Sequence, residues 1–162
     1  MQNDPATVAL HADGDLAELP DIAPAIRPAT TFARGATARF YRRDSHETTE
    51  RFEAVVGALE GGSAVAYPSG MAAVAAILRH IRPRRIALPE DVYHGVRALV
   101  DREATYGTWE VTPPERLEDG DVWWVETPSN PKCLITDVAE VATMAHSRGV
   151  HVVVDATFAT PV

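Results

Sequence analysis

The chain has 162 residues, a hydrophobic fraction of 46%, a charged fraction of 23% and a formal net charge of −8. That is enough for one globular domain with a real core, and the acidic balance argues against nucleic acid or an anionic membrane as a partner, since each needs a basic face. The single cysteine, Cys133, cannot close an internal disulfide, the acidic N-terminus has no apolar signal-like core, and the longest strongly apolar stretch, around Met71–Leu78, is too short to span a bilayer; a cytoplasmic protein is expected.

Residues 1–40 read as an arm. Pro5, Pro20, Pro24 and Pro28 interrupt it and leave no helical period, with an extended piece expected at Ala29–Phe32. Such an arm cannot bury itself and is expected to lie across another subunit or to be partly mobile. From Thr48 the pattern becomes regular. Phe52, Val55, Val56 and Leu59 mark one face of a helix that Gly61-Gly62 stops. Ala64–Tyr67 reads as a short strand. Val74, Ile77, Leu78 and Ile81 give a second helix, apolar almost all round and so expected to be buried, ended by Pro83.

Ile86–Leu88 is the next expected strand, and Asp91 is expected to cap a helix carrying Val92, Val96, Leu99 and Val100. Thr108–Val111 and Val122–Val125 follow as strands. Asp137-x-x-Glu140 resembles a capping box for a helix with Val138, Val141, Ala142 and Ala145, closed by Gly149. Val150–Val154 is continuously apolar, as in a parallel strand covered on both faces. Strands alternating with helices predict an α/β domain with a mainly parallel sheet and flanking helices.

Ligands of open α/β sheets bind at the carboxyl ends of the strands. Four such ends carry polar or aromatic residues: Pro68–Met71, Glu90–Gly95, Glu126–Pro131 and Asp155–Phe158. Each has an ordinary reading beside a functional one. Ser69-Gly70 suits a plain N-cap or an anion cradle. Asp155 suits a turn cap or the partner of a buried cation. Tyr93 suits surface or an aromatic lid, Asn130 suits a turn or a ligand contact, and Glu126 is equally ambiguous. Together, a phosphate cradle, an aromatic plate, an amide and a carboxylate describe a phosphorylated aromatic cofactor. A carboxylate facing the ring nitrogen of pyridoxal phosphate (PLP) would keep that nitrogen protonated and the ring an electron sink.

The chain also resembles a known family. FYRRDSHETTERFEAVVGALEGG is similar to the Tyr-x-Arg…Asn-Pro-Thr…Leu-Glu-Gly-Gly segment of the Cys/Met-metabolism PLP enzymes, and PSGMAAV to their Ser-Gly-Met-Ala-Ala phosphate turn. DVYHGV resembles their Tyr-Gly-Gly segment, WWVETPSNP their Glu-x-Pro-Ser-Asn-Pro, and HVVVDATFATPV their Val-Asp-Asn-Thr-Phe-Ala-Thr-Pro. TVALHADGD and PAIRPATTF fit the family's opening. The match runs in order along essentially the whole chain. It implies the large domain of the type I PLP-transferase fold, here incomplete, with the arm at 1–40 and a partial PLP-binding domain at 41–162.

By resemblance, Ser69, Gly70 and Met71 would hold the cofactor phosphate. Tyr93 would stack on the ring and assist proton transfer, as the one catalytic residue. Asn130 would contact the ring hydroxyl, Asp155 the ring nitrogen, and Thr157 would lie beside it. Tyr41 and Arg43 would reach the phosphate in a neighbouring subunit, making the protein oligomeric. No metal is implied. The implied chemistry is β- or γ-elimination or γ-replacement on an amino-acid substrate of sulfur metabolism. The family's Asn-Pro-Thr is His46-Glu47-Thr48 here, the Asn after the ring-nitrogen Asp is Ala156, and the second position of Tyr-Gly-Gly is His94. Lysine occurs once, as Lys132, and arginine supplies the rest of the 15 basic residues. The family's Schiff-base lysine sits in a later Ser-x-Thr-Lys segment, and Lys132 reads as a solvated loop residue. The expectation is therefore a PLP-site portion, inactive alone, forming a homo-oligomer or pairing with a lysine-bearing C-terminal chain. The alternative is a non-catalytic partner subunit or degenerate paralogue.

Overall fold

The computed structural model describes residues 4–16, 25–28, 31–35, 40–159 and 161. Two compact units are present, one running to Tyr67 and taking in Pro161–Val162, and one spanning Pro68–Thr160.

In the first unit, α1 (Pro5–His11) corrects the expectation that no helix survives the prolines of the arm. Pro5 sits at the start of the helix, where its fixed φ fits and its missing N–H is not needed. Asp4 accepts from Ala6 N at 2.9 Å and caps it. Of the extended piece expected at Ala29–Phe32, Ala29 and Thr30 lie outside the described residues, and Thr31 pairs with Tyr41 in an isolated antiparallel bridge. α2 (Glu47–Leu59) packs against α1. His46 takes over its N-cap: Thr48 N donates to His46 Nδ1 at 3.3 Å. The predicted apolar face is only partly covered, since Phe52 is 60% exposed. Arg51 pairs with Asp13 at 2.6 Å and ties the turn after α1 to α2. Ala64–Tyr67 forms no strand and has no strand neighbour among the described residues; Ala66 N donates instead to Glu53 Oε1 at 2.7 Å.

The second unit is built on four parallel strands, β1 (Arg85–Ala87), β2 (Glu110–Val111), β3 (Val122–Glu126) and β4 (His151–Asp155), in the order β2-β1-β3-β4. Its helices are α3 (Gly70–Ile81), α4 (His94–Thr105) and α5 (Val138–His146). Side chains alternate across a strand. Ile86, Val122 and Trp124 therefore share one face with Val74 and Leu78 of α3 and Val96 and Val100 of α4. Ala87 and Trp123 turn to the other face and pack with Ala145 of α5, Leu117 and Val150. Each fully buried Val, Leu or Ile in these layers contributes roughly 1.5–3 kcal/mol. Among the described residues no helix is long and apolar enough to cross a membrane.

Three local expectations change. Asp91 does not cap α4; the N-cap is Tyr93, without a side-chain bond, because Asp91 is engaged elsewhere. β4 is not covered on both faces: Val152 and Val153 are half-buried and Val154 is 37% exposed, since among the described residues β4 pairs only with β3, and it lines a cavity. Ile77 on α3 faces the same cavity rather than the core. Asp137 does cap α5, accepting from Glu140 N at 2.9 Å.

At the amino ends of the strands, buried Asp121 accepts from the backbone amides of Arg85 and Glu118, at 2.9 and 2.8 Å. Arg85 reaches Glu118 at 2.7 Å, which raises the guanidinium pKa and lowers that of Glu118. The polar groups of this end are spent on one another. The carboxyl end is where unspent ones collect.

Candidate cofactor site

The strand order reverses between β1 and β3: the chain leaves β1 for β2 on one side and returns to β3 on the other. That switch point is where two loops separate and an open α/β sheet offers a crevice. Here the loops are Leu88–Tyr93 after β1 and Thr127–Asp137 after β3, joined by Asp155 at the end of β4 with the residues to Phe158 that follow it, and by the start of α3. Together they line a cavity of about 600 Å³.

Ser69, Gly70, Met71, Tyr93, Asn130, Asp155 and Thr157 all line it. At the start of α3, Ser69 Oγ accepts from Ala72 N at 3.1 Å. The amides of Gly70 and Met71 precede any intrahelical acceptor and remain available to an anion, with the helix dipole behind them. Nothing lies within 4 Å of where a Cβ on Gly70 would be, so an anion can approach this backbone closely.

Asp155 is half-committed. Its Oδ1 accepts from Thr157 N at 3.1 Å and from Thr157 Oγ at 2.6 Å, while Oδ2 has no hydrogen-bond partner among the described residues. One oxygen is anchored and the other is free for a cationic N–H. The Asn130 side-chain amide is likewise without a partner among the described residues, and the Tyr93 ring is 38% exposed. The indole N–H of Trp124, a buried residue of the cavity wall, finds no acceptor among the described residues either. The donor set is thus an anion cradle, an aromatic face, an amide and a carboxylate, which suits a planar, phosphorylated, protonated ring.

Tyr41 and Arg43 belong to the first unit, where the Arg43 guanidinium carbon lies 4.3 Å from the centroid of the Tyr41 ring. His46, standing where the resembled family has Asn, serves as a helix cap. His94 packs its ring on Tyr93, with centroids 4.4 Å apart. Lys132 is exposed and does not line the cavity.

Some participants escaped the sequence reading. Glu126 was ambiguous at a strand end; it is buried, and its Oε2 and Oε1 accept from the backbone amides of Tyr93 and Asn130 at 2.6 and 3.0 Å. Asp91 accepts from Ser129 Oγ at 2.8 Å; that bond, aided by the Lys132 charge against some desolvation, holds its carboxyl below the usual range. Nothing local in the sequence distinguishes these carboxylates from surface ones, because the Tyr93 amide that answers Glu126 and the Ser129 hydroxyl that answers Asp91 each lie more than thirty residues away.

The family described as "Cys/Met metabolism PLP-dependent enzyme" matches residues 6–162. Cystathionine gamma-synthase of Mycobacterium tuberculosis is 36% identical over 97% of this chain and 45% of its own length. Cystathionine beta-lyase MetC of Staphylococcus haemolyticus is 35% identical over 78% of this chain and 36% of its own length. Among solved structures, cystathionine gamma lyase CalE6 from Micromonospora echinospora superposes with a TM-score of 0.83 at 35% identity, over 98% of this chain and 46% of that one. Cystathionine gamma synthase from Xanthomonas oryzae pv. oryzae, solved in complex with cystathionine, gives 0.84 at 26% identity, over 99% of this chain and 46% of that one. The chain therefore spans between about a third and a half of the length of these relatives, and over that span it belongs to the Cys/Met-metabolism family of PLP-dependent enzymes.

Proposed function

We propose that this chain supplies the PLP-binding face of an enzyme of sulfur amino-acid metabolism, performing β- or γ-elimination or γ-replacement on a cystathionine-like amino acid in the cytoplasm. The observation that carries the reading is that seven residues implied by the family resemblance, drawn from the start of α3, the β1–α4 loop, the β3–α5 loop and the end of β4, line a single cavity. When bound, PLP supplies an electron sink for the carbanion formed at the substrate α-carbon.

The chain's own contributions follow from its geometry. The Gly70 and Met71 amides and the Ser69 hydroxyl hold the phosphate. Asp155, oriented through Oδ1 by Thr157, keeps the ring nitrogen protonated through Oδ2. Asn130 binds the ring hydroxyl. Tyr93 covers the ring and carries a proton at its phenolic oxygen to or from the substrate. Tyr41 and Arg43 bind the phosphate of a neighbouring subunit, so the working assembly is an oligomer. The Schiff-base lysine comes from polypeptide outside these 162 residues, because Lys132 is the only candidate within them and is not among the cavity residues. That same position of Lys132 favours the second reading, a non-catalytic subunit completing a site on another chain.

Titrating the purified chain with PLP tests this. Saturable quenching of tryptophan emission is expected, with cofactor that dialyses away and binding unaltered by Lys132→Ala. Addition of a lysine-bearing C-terminal chain is expected to convert this into tightly retained cofactor with lyase or synthase activity; binding without activity favours the second reading. No PLP binding in any combination would sink the proposal, and a dialysis-resistant absorbance lost with Lys132→Ala would overturn the lysine assignment.

A further inference from the structure

The switch-point crevice between β1 and β3 is crossed by two ties. The buried carboxylate of Glu126 gives one oxygen to the amide of Tyr93 and the other to the amide of Asn130. Beside it, Ser129 Oγ donates to Asp91 while accepting from Leu134 N at 3.2 Å. Both ties join the same two loops, and both use an acidic acceptor, so the bonds are the strong charge-assisted kind. A carboxylate as buried as Glu126 is costly unless donors answer both oxygens. Those donors are the backbone amides of the two residues that present a ring and an amide to the cavity.

We propose that Glu126 is a positioning residue: it couples the Tyr93 and Asn130 turns into one rigid unit and so fixes, before any ligand arrives, the distance between the aromatic plate and the amide. Glu126 lines the cavity, yet both its oxygens are already engaged, so its effect on a bound ring passes through its two neighbours. Glutamine is the same size but has only one acceptor oxygen. Its NH2 would face an N–H donor, so Glu126→Gln releases one of the two turns while leaving the volume filled. The value of the brace for PLP rests on the proposed function; the existence of the brace does not.

The test uses the full chain in two arms. Without cofactor, residue-resolved amide exchange is expected to show Tyr93 and Asn130 protected in the wild type, with at least one slowed amide accelerated on the order of tenfold or more in Glu126→Gln. The amides of β3 keep their protection and report that the sheet is intact. With PLP, affinity is expected to fall roughly 10- to 100-fold and the visible circular dichroism of the bound ring to weaken. Ser129→Ala, which cuts only the second tie, is expected to act in the same direction more mildly and covers the case in which Glu126→Gln does not fold. Free exchange at Tyr93 and Asn130 in the wild type overturns the brace without any variant. Unchanged affinity and dichroism after the amides are released overturns the positioning role. If the wild type takes up no PLP, the cofactor reading fails, and the exchange arm still decides the brace.

Discussion

The ring of Tyr93 lies over Gly95, two residues further into α4, so closely that a Cβ on Gly95 would sit 2.6 Å from Tyr93 Cε1 and 3.0 Å from Met71 Sδ. The contact explains why glycine stands second in this helix although alanine is intrinsically the better helix former by roughly 1 kcal/mol. Gly95→Ala is expected to swing the Tyr93 ring away and weaken PLP binding by about tenfold, a loss of about 1.4 kcal/mol. Thermal stability should change little, because propensity gained offsets packing lost. Parallel fluorescence titrations and melting curves check it; equal affinity with a lower melting temperature would contradict it.

The tie between Ser129 and Asp91 has a pH signature. The Ser129 bond, with help from the Lys132 charge, depresses the folded-state pKa of Asp91 below its unfolded value. Its contribution to stability is therefore complete above the unfolded pKa, about 4, and disappears as pH falls through the folded one. Ser129→Ala is expected to be destabilising at neutral pH and to approach the wild type at low pH. Denaturant midpoints measured between neutral and acid pH check this, and a difference that grows on acidification would refute the assignment.

A third prediction concerns the turn that feeds β4. Gly149 has φ +70°, a left-handed conformation, and an added Cβ would overlap the Asp119 carboxylate. Gly149→Ala is expected to cost on the order of 1–2 kcal/mol or more, the left-handed penalty alone accounting for the lower figure. Adding Asp119→Ala should recover part of the loss. Chemical denaturation of the single and double variants measures the coupling.

How much of this could be read from sequence depended on the reach of each interaction. The alternation of strand and helix, the Asp137 cap and the Gly149 stop are local and were legible from a few residues each. Motif strings named Ser69, Gly70, Met71, Tyr93, Asn130, Asp155 and Thr157 because the residue types and their order survive translation into text. Glu126 and Asp91 were not legible, since a carboxylate declares its donor only once two loops more than thirty residues apart have met. The helix at Pro5–His11 was missed for a different reason. Proline breaks a helix from its interior, whereas at the first helical position it is an initiator. Continuous apolar sequence does not report cover at β4, where a single neighbouring strand among the described residues and an adjoining cavity leave valines part-open.

The last prediction separates orientation from charge at Asp155. Thr157 spends both its amide and its hydroxyl on Oδ1, the latter at 2.6 Å, so the free Oδ2 is aimed by a fixed carboxylate plane. Thr157→Val keeps the shape and the amide bond but deletes the hydroxyl, at a cost of about 0.5–1.5 kcal/mol. It is expected to lower PLP affinity several-fold while leaving the pH dependence of the bound-cofactor spectrum in place. Asp155→Asn keeps an acceptor for Thr157 but removes the charge that we propose holds a proton on the ring nitrogen. It is expected to weaken binding at least tenfold and to shift the spectrum toward that of cofactor with an unprotonated ring, most clearly at neutral pH and above. Spectral titrations of bound PLP across pH distinguish the two variants. If Asp155→Asn merely reproduced Thr157→Val, the carboxylate would be serving geometry and not charge, and the cavity would be lined correctly for the ring without being able to activate it.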